Sequence, residues 1–277
     1  MVCVALASTI NAQSAADEEE WITLFNGHDL SGWTAKIRTH EAGENYADTF
    51  RVEDGLLTVS YDGYEKFDLQ FGHLFYATPY SYYRLRLDYR FIGDPAPETP
   101  DWAVRNSGAM LHSQAPETMP RDQNFPISIE FQFLGGLGDG KPRSTGSMCS
   151  PGTNVVYQGK FDDTHCITSS SPTLDGDQWV HAEALVLGAD RVVHYVNGEA
   201  VMEYGGVTYG GGAVAGHRPE MKPDGEPLAA GYISLQSEGH PIQFRNVQLL
   251  NLKGCMDPEA ANYKSYFVEP DPESCRH

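Results

Sequence analysis

The chain has 277 residues, 40% of them hydrophobic, which is enough to bury one sizeable core within a single all-β unit. Its 38 acidic residues outweigh 19 basic ones for a formal net charge of −19, a field that repels phosphate backbones and anionic lipid heads. Composition therefore argues against nucleic acid and membrane insertion. Seventeen Pro and 28 Gly, with few long amphipathic runs, call for many turns and short strands in place of helices.

Residues 1–16 run from the apolar Met1-Val2-Cys3-Val4-Ala5-Leu6-Ala7 through small residues to an acidic junction at Glu18–Glu20. That order reads as the remnant of a secretory signal peptide cut near Ala12 or Ala16, although a basic leading segment is missing. No later stretch reaches transmembrane length. The expected protein is secreted or periplasmic, with its main domain over 17–253.

Trp21 to Phe25 reads as a strand, followed by turn residues at Asn26-Gly27. Phe50–Glu53 and Leu56–Val59 flank Asp54-Gly55, a hairpin signal. Tyr83 to Phe91 alternates apolar and polar residues, as a half-buried strand does. A Pro-rich acidic loop follows from Gly93 to Trp102. In Ser128 to Leu134 the polar Ser128, Glu130 and Gln132 share one face, opposite Ile129, Phe131 and Phe133. Trp179–Leu187 and Val192–Val196 predict another hairpin, with a turn at Asn197-Gly198. Gly205–Gly216 is expected to be a loop. Gly231–Glu238 and Ile242–Leu250 complete an antiparallel two-sheet sandwich.

Without Cys3 in the leader, four cysteines remain, and three pairings are open. Proximity favours Cys149–Cys166 and Cys255–Cys275, both requiring an oxidising compartment. Zinc is the rival reading, weakened by the lack of any CxxC. From Gly254 to the end, Gly254-Cys255-Met256-Asp257-Pro258-Glu259-Ala260-Ala261-Asn262-Tyr263 resembles a short disulfide-closed motif that ends many secreted bacterial proteins. The segment 254–277 is too small for a core of its own and is expected to be a stapled appendage.

Several segments together resemble the 3-keto-disaccharide hydrolase family. They are Leu24-Phe25-Asn26-Gly27-His28-Asp29-Leu30-Ser31-Gly32-Trp33, Val52-Glu53-Asp54-Gly55, Phe71-Gly72-His73-Leu74, Arg105-Asn106-Ser107-Gly108, Glu130-Phe131-Gln132, Gly231-Tyr232-Ile233-Ser234-Leu235-Gln236 and Phe244-Arg245-Asn246-Val247. Each is weak alone; in this order they are specific. The resemblance implies an all-β, concanavalin-like jelly-roll sandwich that binds sugar on a concave sheet and acts on sugars with a ketone at C3. The sequence departs from the family where many members carry Arg after the Asn-Ser-Gly strand; His112 lies nearby here. Cys149 and Cys166 look like a subgroup feature.

A C3 ketone acidifies the C2 proton, so cleavage needs a base at C2, a donor or cation at the enolate oxygen and an acid for the leaving oxygen. Glu130 and His112 are the first candidates for proton transfer, with Glu238 and His240 behind them; ordinary sheet roles compete at each. Gln236 shares their strand parity. Arg105, Asn106, Gln132 and Gln236 suit sugar hydroxyls, with Lys66, Tyr157 and Arg245 as weaker candidates, Arg245 equally as a structural ion pair. Trp33, Trp102 and Trp179 are either stacking platforms or core. No cofactor is certain. A divalent metal on His73, His112, Glu130, Glu238 and His240, or a structural Ca²⁺ whose ligands the sequence does not identify, is the expectation to test.

The fold also hosts non-catalytic carbohydrate-binding modules, which is the first alternative. A conventional glycoside hydrolase ranks third, since it needs two carboxylates and the Glu-x-Asp-x-x-Glu pattern of laminarinase-like jelly rolls is absent.

Overall fold

The computed structural model describes residues 18–277, and the expected leader at 1–16 lies outside the described residues. Two antiparallel sheets stack face to face, with no α-helix among the described residues. This is the two-sheet sandwich expected from the alternating patterns and the jelly roll that the family resemblance implied. The larger sheet runs in the order Lys160–Asp162, Thr153–Tyr157, Glu199–Tyr209, Arg191–Val196, Val180–Leu187, Tyr82–Phe91, Ile242–Asn251, Leu56–Val59, Phe50–Glu53. The smaller sheet carries the site. Its order is Cys166–Ile167, Ser147–Cys149, Ile129–Leu134, Asn106–Ser113, Tyr232–Ser237, Gly72–Tyr76, Trp33–Ile37.

Alternation decides which residues meet between the sheets. Tyr83, Leu85, Leu87, Tyr89 and Phe91 from the larger sheet are buried against Ile129, Phe131 and Phe133 from the smaller. Tyr89 stacks on Phe133 with ring centroids 4.3 Å apart. Each fully buried side chain of this size contributes about 1.5–3 kcal/mol. The complementary set of the smaller sheet, Glu130 and Gln132 among it, is forced onto the opposite face.

The hairpin at Asp54-Gly55 forms as expected, with both residues at positive φ (51° and 78°), as the two-residue turn demands. Two expectations need correction. The first strand shrinks from Trp21–Phe25 to Ile22–Thr23, which pairs with Gln248 and Leu249. The Gly205–Gly216 stretch is not all loop, because the Glu199–Tyr209 strand runs through its first half. A Cβ on Gly205 would stand 1.9 Å from the Asp190 carbonyl oxygen, so glycine lets that strand pass the neighbouring turn.

Both disulfides form as sequence proximity favoured, Cys149 with Cys166 and Cys255 with Cys275. The first joins directly opposed residues of paired strands. The second closes the C-terminal segment, which is held by parallel pairing of Lys253–Gly254 with Glu269–Pro270.

Candidate active site

A cavity of about 700 Å³ opens on the face of the smaller sheet that turns away from the sandwich. Its floor follows from strand register. Gln132 lies opposite Gly108, and Glu130 lies opposite Met110 on one side and Cys149 on the other. The Glu130 side chain leans diagonally over Gly108: a Cβ there would stand 2.6 Å from Oε1 and 2.8 Å from Cγ of Glu130. Glycine at 108 is therefore what makes room for the carboxyl group.

Asn106 and Gln132 sit beside it, with Gln132 Nε2 donating to Asn106 Oδ1 at 3.3 Å. Glu238 continues the face of Gln236 just past the strand end and also lines the cavity. Arg143 completes the polar set. Its Nη1 donates to the carbonyls of Arg105 (3.1 Å) and Gly135 (2.6 Å), which fixes its guanidinium between the two loops at that end.

Glu130 and Glu238 are only 6% and 4% exposed. Burial raises both carboxyls well above the ordinary range, and the charge of Glu130 raises Glu238 further while Arg143 opposes that rise. Oε1 of Glu130 and Oε1 of Gln236 have no hydrogen-bond partner within the protein. Ionisation of one carboxyl works against ionisation of the other, so the pair keeps one proton after it has lost the first. Such a pair offers a base and an acid together.

The structure gathers Glu130, Glu238, Asn106 and Gln132 around one cavity and separates the other candidates. His112 is a correction. A bulge opposite Ile233 leaves it at φ 49° and turns it inward, where its ring stands 5.8 Å from Tyr83. Its two nitrogens face the carbonyls of Leu228 and Ser81, both at 3.2 Å. His240 packs its ring edge against Phe91, at 5.6 Å, beyond the turn at Gly239. Gln236 is buried on the cavity face, opposite His73.

Arg105 is held by Asp177 Oδ1 (2.8 Å) and by the Gly176 carbonyl. Its backbone, not its side chain, braces the cavity through Arg143. Lys66 is half exposed, 3.9 Å from both Asp68 and Glu98, and Tyr157 lies on the edge hairpin of the larger sheet. Arg245 belongs to that sheet too: it donates to Asp88 at 3.1 Å and covers Trp179 at 4.0 Å, the structural role. Trp33 is tied to the Leu24 carbonyl, which leaves Trp102 as the tryptophan at the cavity.

The five-residue metal set is not assembled. His112 faces the other sheet, and His73 is sealed beside Phe125 with ring centroids 6.0 Å apart. Arg143 also places positive charge next to Glu238. Among the described residues no three His, Cys, Asp or Glu side chains are grouped to hold a metal ion. Sequence reading missed Arg143, Phe125, Leu137 and His165, all on loops, where periodicity gives no signal.

The model of the 3-keto-alpha-glucoside-1,2-lyase-like domain matches residues 20–250. The chain belongs to this family. No curated protein matches the chain. Among solved structures, a putative glycosyl hydrolase from Parabacteroides distasonis aligns over 84% of this chain and 100% of its own, with 16% identity and a TM-score of 0.50. A Bacillus subtilis protein of unknown function with a galectin-like fold aligns over 84% and 97%, with 11% identity and a TM-score of 0.52. At such identities these likenesses bear on fold alone. Family membership makes the 3-keto-alpha-glucoside-1,2-lyase-like chain a carbohydrate-active protein, and the Glu130–Glu238 cavity is its candidate centre.

Proposed function

We propose that this protein cleaves 3-keto-glycosides by elimination across C1 and C2, followed by hydration. The observation that carries the reading is the pair of buried carboxyls, Glu130 and Glu238, lining the same cavity in a chain from this family.

The ionised member of the pair takes the C2 proton, and the electron pair moves onto the C3 oxygen as an enolate. Arg143 and the side-chain amides of Asn106 and Gln132 are the donors available to that oxygen. Collapse of the enolate forms the C1–C2 double bond and breaks the C1–O bond. The protonated member of the pair supplies the proton to the departing oxygen. Water adding at C1, with a proton returning to C2, then completes a net hydrolysis. Every step runs through side chains of this chain, and none is routed through a metal.

The test is incubation with matched glycosides, plain and 3-oxidised, following release of the leaving group. The expected outcome is release from the oxidised panel only, with exchange of C2–H in deuterated water. Glu130→Gln should lower kcat by roughly 10²–10⁴-fold. Inactivity on both panels, with sugar binding that survives Glu130→Gln, would replace the lyase reading with a binding module.

The same two carboxyls favour a second reading, a conventional hydrolase of unoxidised glycosides. Equal turnover of both panels would select it. The two disulfides support work outside a reducing cytosol, secreted or periplasmic, with residues 254–277 as a stapled appendage to the domain before them.

A further inference from the structure

The polar floor occupies only part of the cavity. Trp102 and Leu137 stand at its mouth, 53% and 46% exposed, although both are large apolar side chains. They come from different loops: Trp102 lies just before the Asn106–Ser113 strand, and Leu137 just after Ile129–Leu134. The same cavity is lined as well by Phe125, Pro151 and the Cys149–Cys166 disulfide. Phe125 and Trp102 flank Phe71, with ring centroids 4.7 Å and 6.1 Å from it, so the aromatic wall is braced from below. Among the exposed large apolar side chains of the described residues, these two are the ones that line this cavity.

A single pyranose offers one apolar face and a rim of hydroxyls. One aromatic ring is enough to stack on it, and further hydroxyls placed against leucine, proline and a disulfide would lose their water with only Asp101 and His165 nearby in the lining as partners. A second sugar as leaving group therefore fits this wall poorly. A flat apolar group attached through the scissile oxygen fits it well: the sugar rests on the polar floor while its substituent lies between Trp102 and Leu137.

We infer that the leaving group this site is built for is an aromatic or other apolar alcohol, so that the substrate class is 3-keto-glycosides of apolar aglycones in preference to 3-keto-disaccharides. The inference rests on the lyase reading for the chemistry, but not for the binding.

Two measurements keep them apart. In the first, kcat/KM is compared for a 3-keto-glucoside of naphthol and a 3-keto-disaccharide. The naphthyl compound should be favoured by at least about tenfold, and that ratio should drop by about tenfold in Trp102→Ala and in Leu137→Ser. Cleavage of both compounds with equal efficiency, or preference for the disaccharide, overturns the inference and leaves the lyase reading standing.

The second measurement needs no turnover. Calorimetric titration with unoxidised naphthyl glucoside and methyl glucoside should give binding about tenfold tighter for the naphthyl compound, lost in both variants, whose thermal melts report that they fold. Equal affinity for the two glucosides overturns the aglycone assignment even if no substrate is turned over. Failure of the lyase reading alone would leave this binding difference intact.

Discussion

At Glu130 the sequence places a carboxyl where ionisation is costly. The unfolded chain ionises it in the ordinary carboxylate range, whereas burial raises its value in the folded state. A raised folded value means stability is full below the unfolded value and is lost as pH climbs from there towards the folded one. Glu130→Gln should therefore raise stability at pH 7, by on the order of 2 kcal/mol, and make little difference at pH 4. Urea midpoints of both proteins at the two pH values check this; an unchanged or lowered midpoint at pH 7 would show that Glu130 is ionised at little cost. The shared face of Glu130 and Gln132 was legible beforehand because strand parity puts them on the side opposite Ile129, Phe131 and Phe133, whereas at Glu238, beside the turn at Gly239, parity fades. Arg143 was not, since a loop residue held by backbone carbonyls leaves no periodic trace.

Among the elements, the Asn106–Ser113 strand has the most specialised design. Its glycine at 108 is a contact requirement and not a turn requirement, since no positive φ is involved and the demand comes from Glu130 on the next strand. Gly108→Ala should push the carboxyl aside, lowering kcat about 10²-fold or more with a smaller loss of stability, about 1–2 kcal/mol. Steady-state kinetics beside a thermal melt separates the two effects, and retention of full kcat would remove Gly108 from the site. The same strand explains the failure at His112. Alternation counted from Met110 sends His112 to the cavity, but the bulge opposite Ile233 resets the count, and nothing in the residue types announces a bulge. The hairpin at Asp54-Gly55 was legible because positive φ at both turn positions selects residue types directly.

Across the whole molecule, buried histidines set the acid limit. Burial lowers His73 to about 3 and His112 and His194 to about 4, below the ordinary value of about 6.5. As pH falls below the ordinary value, the unfolded chain takes up protons that the folded one refuses, so stability falls, by about 2 kcal/mol per histidine at pH 5. Denaturant melts at pH 7 and pH 5 should show that loss, and His194→Phe should lessen it, even though His194 also bonds Tyr204 and the Gly146 carbonyl. Glu130 regains stability over the same interval, so the histidine share is read as the difference between the two proteins, and an equal change of midpoint in both would contradict it.

The pairing of Ile22–Thr23 with Gln248 and Leu249 has its own consequence at this scale. Both boundaries of the family domain leave from the larger sheet, while the cavity opens from the outer side of the smaller one. Anything joined at either boundary would attach to the layer of the sandwich that does not carry the cavity.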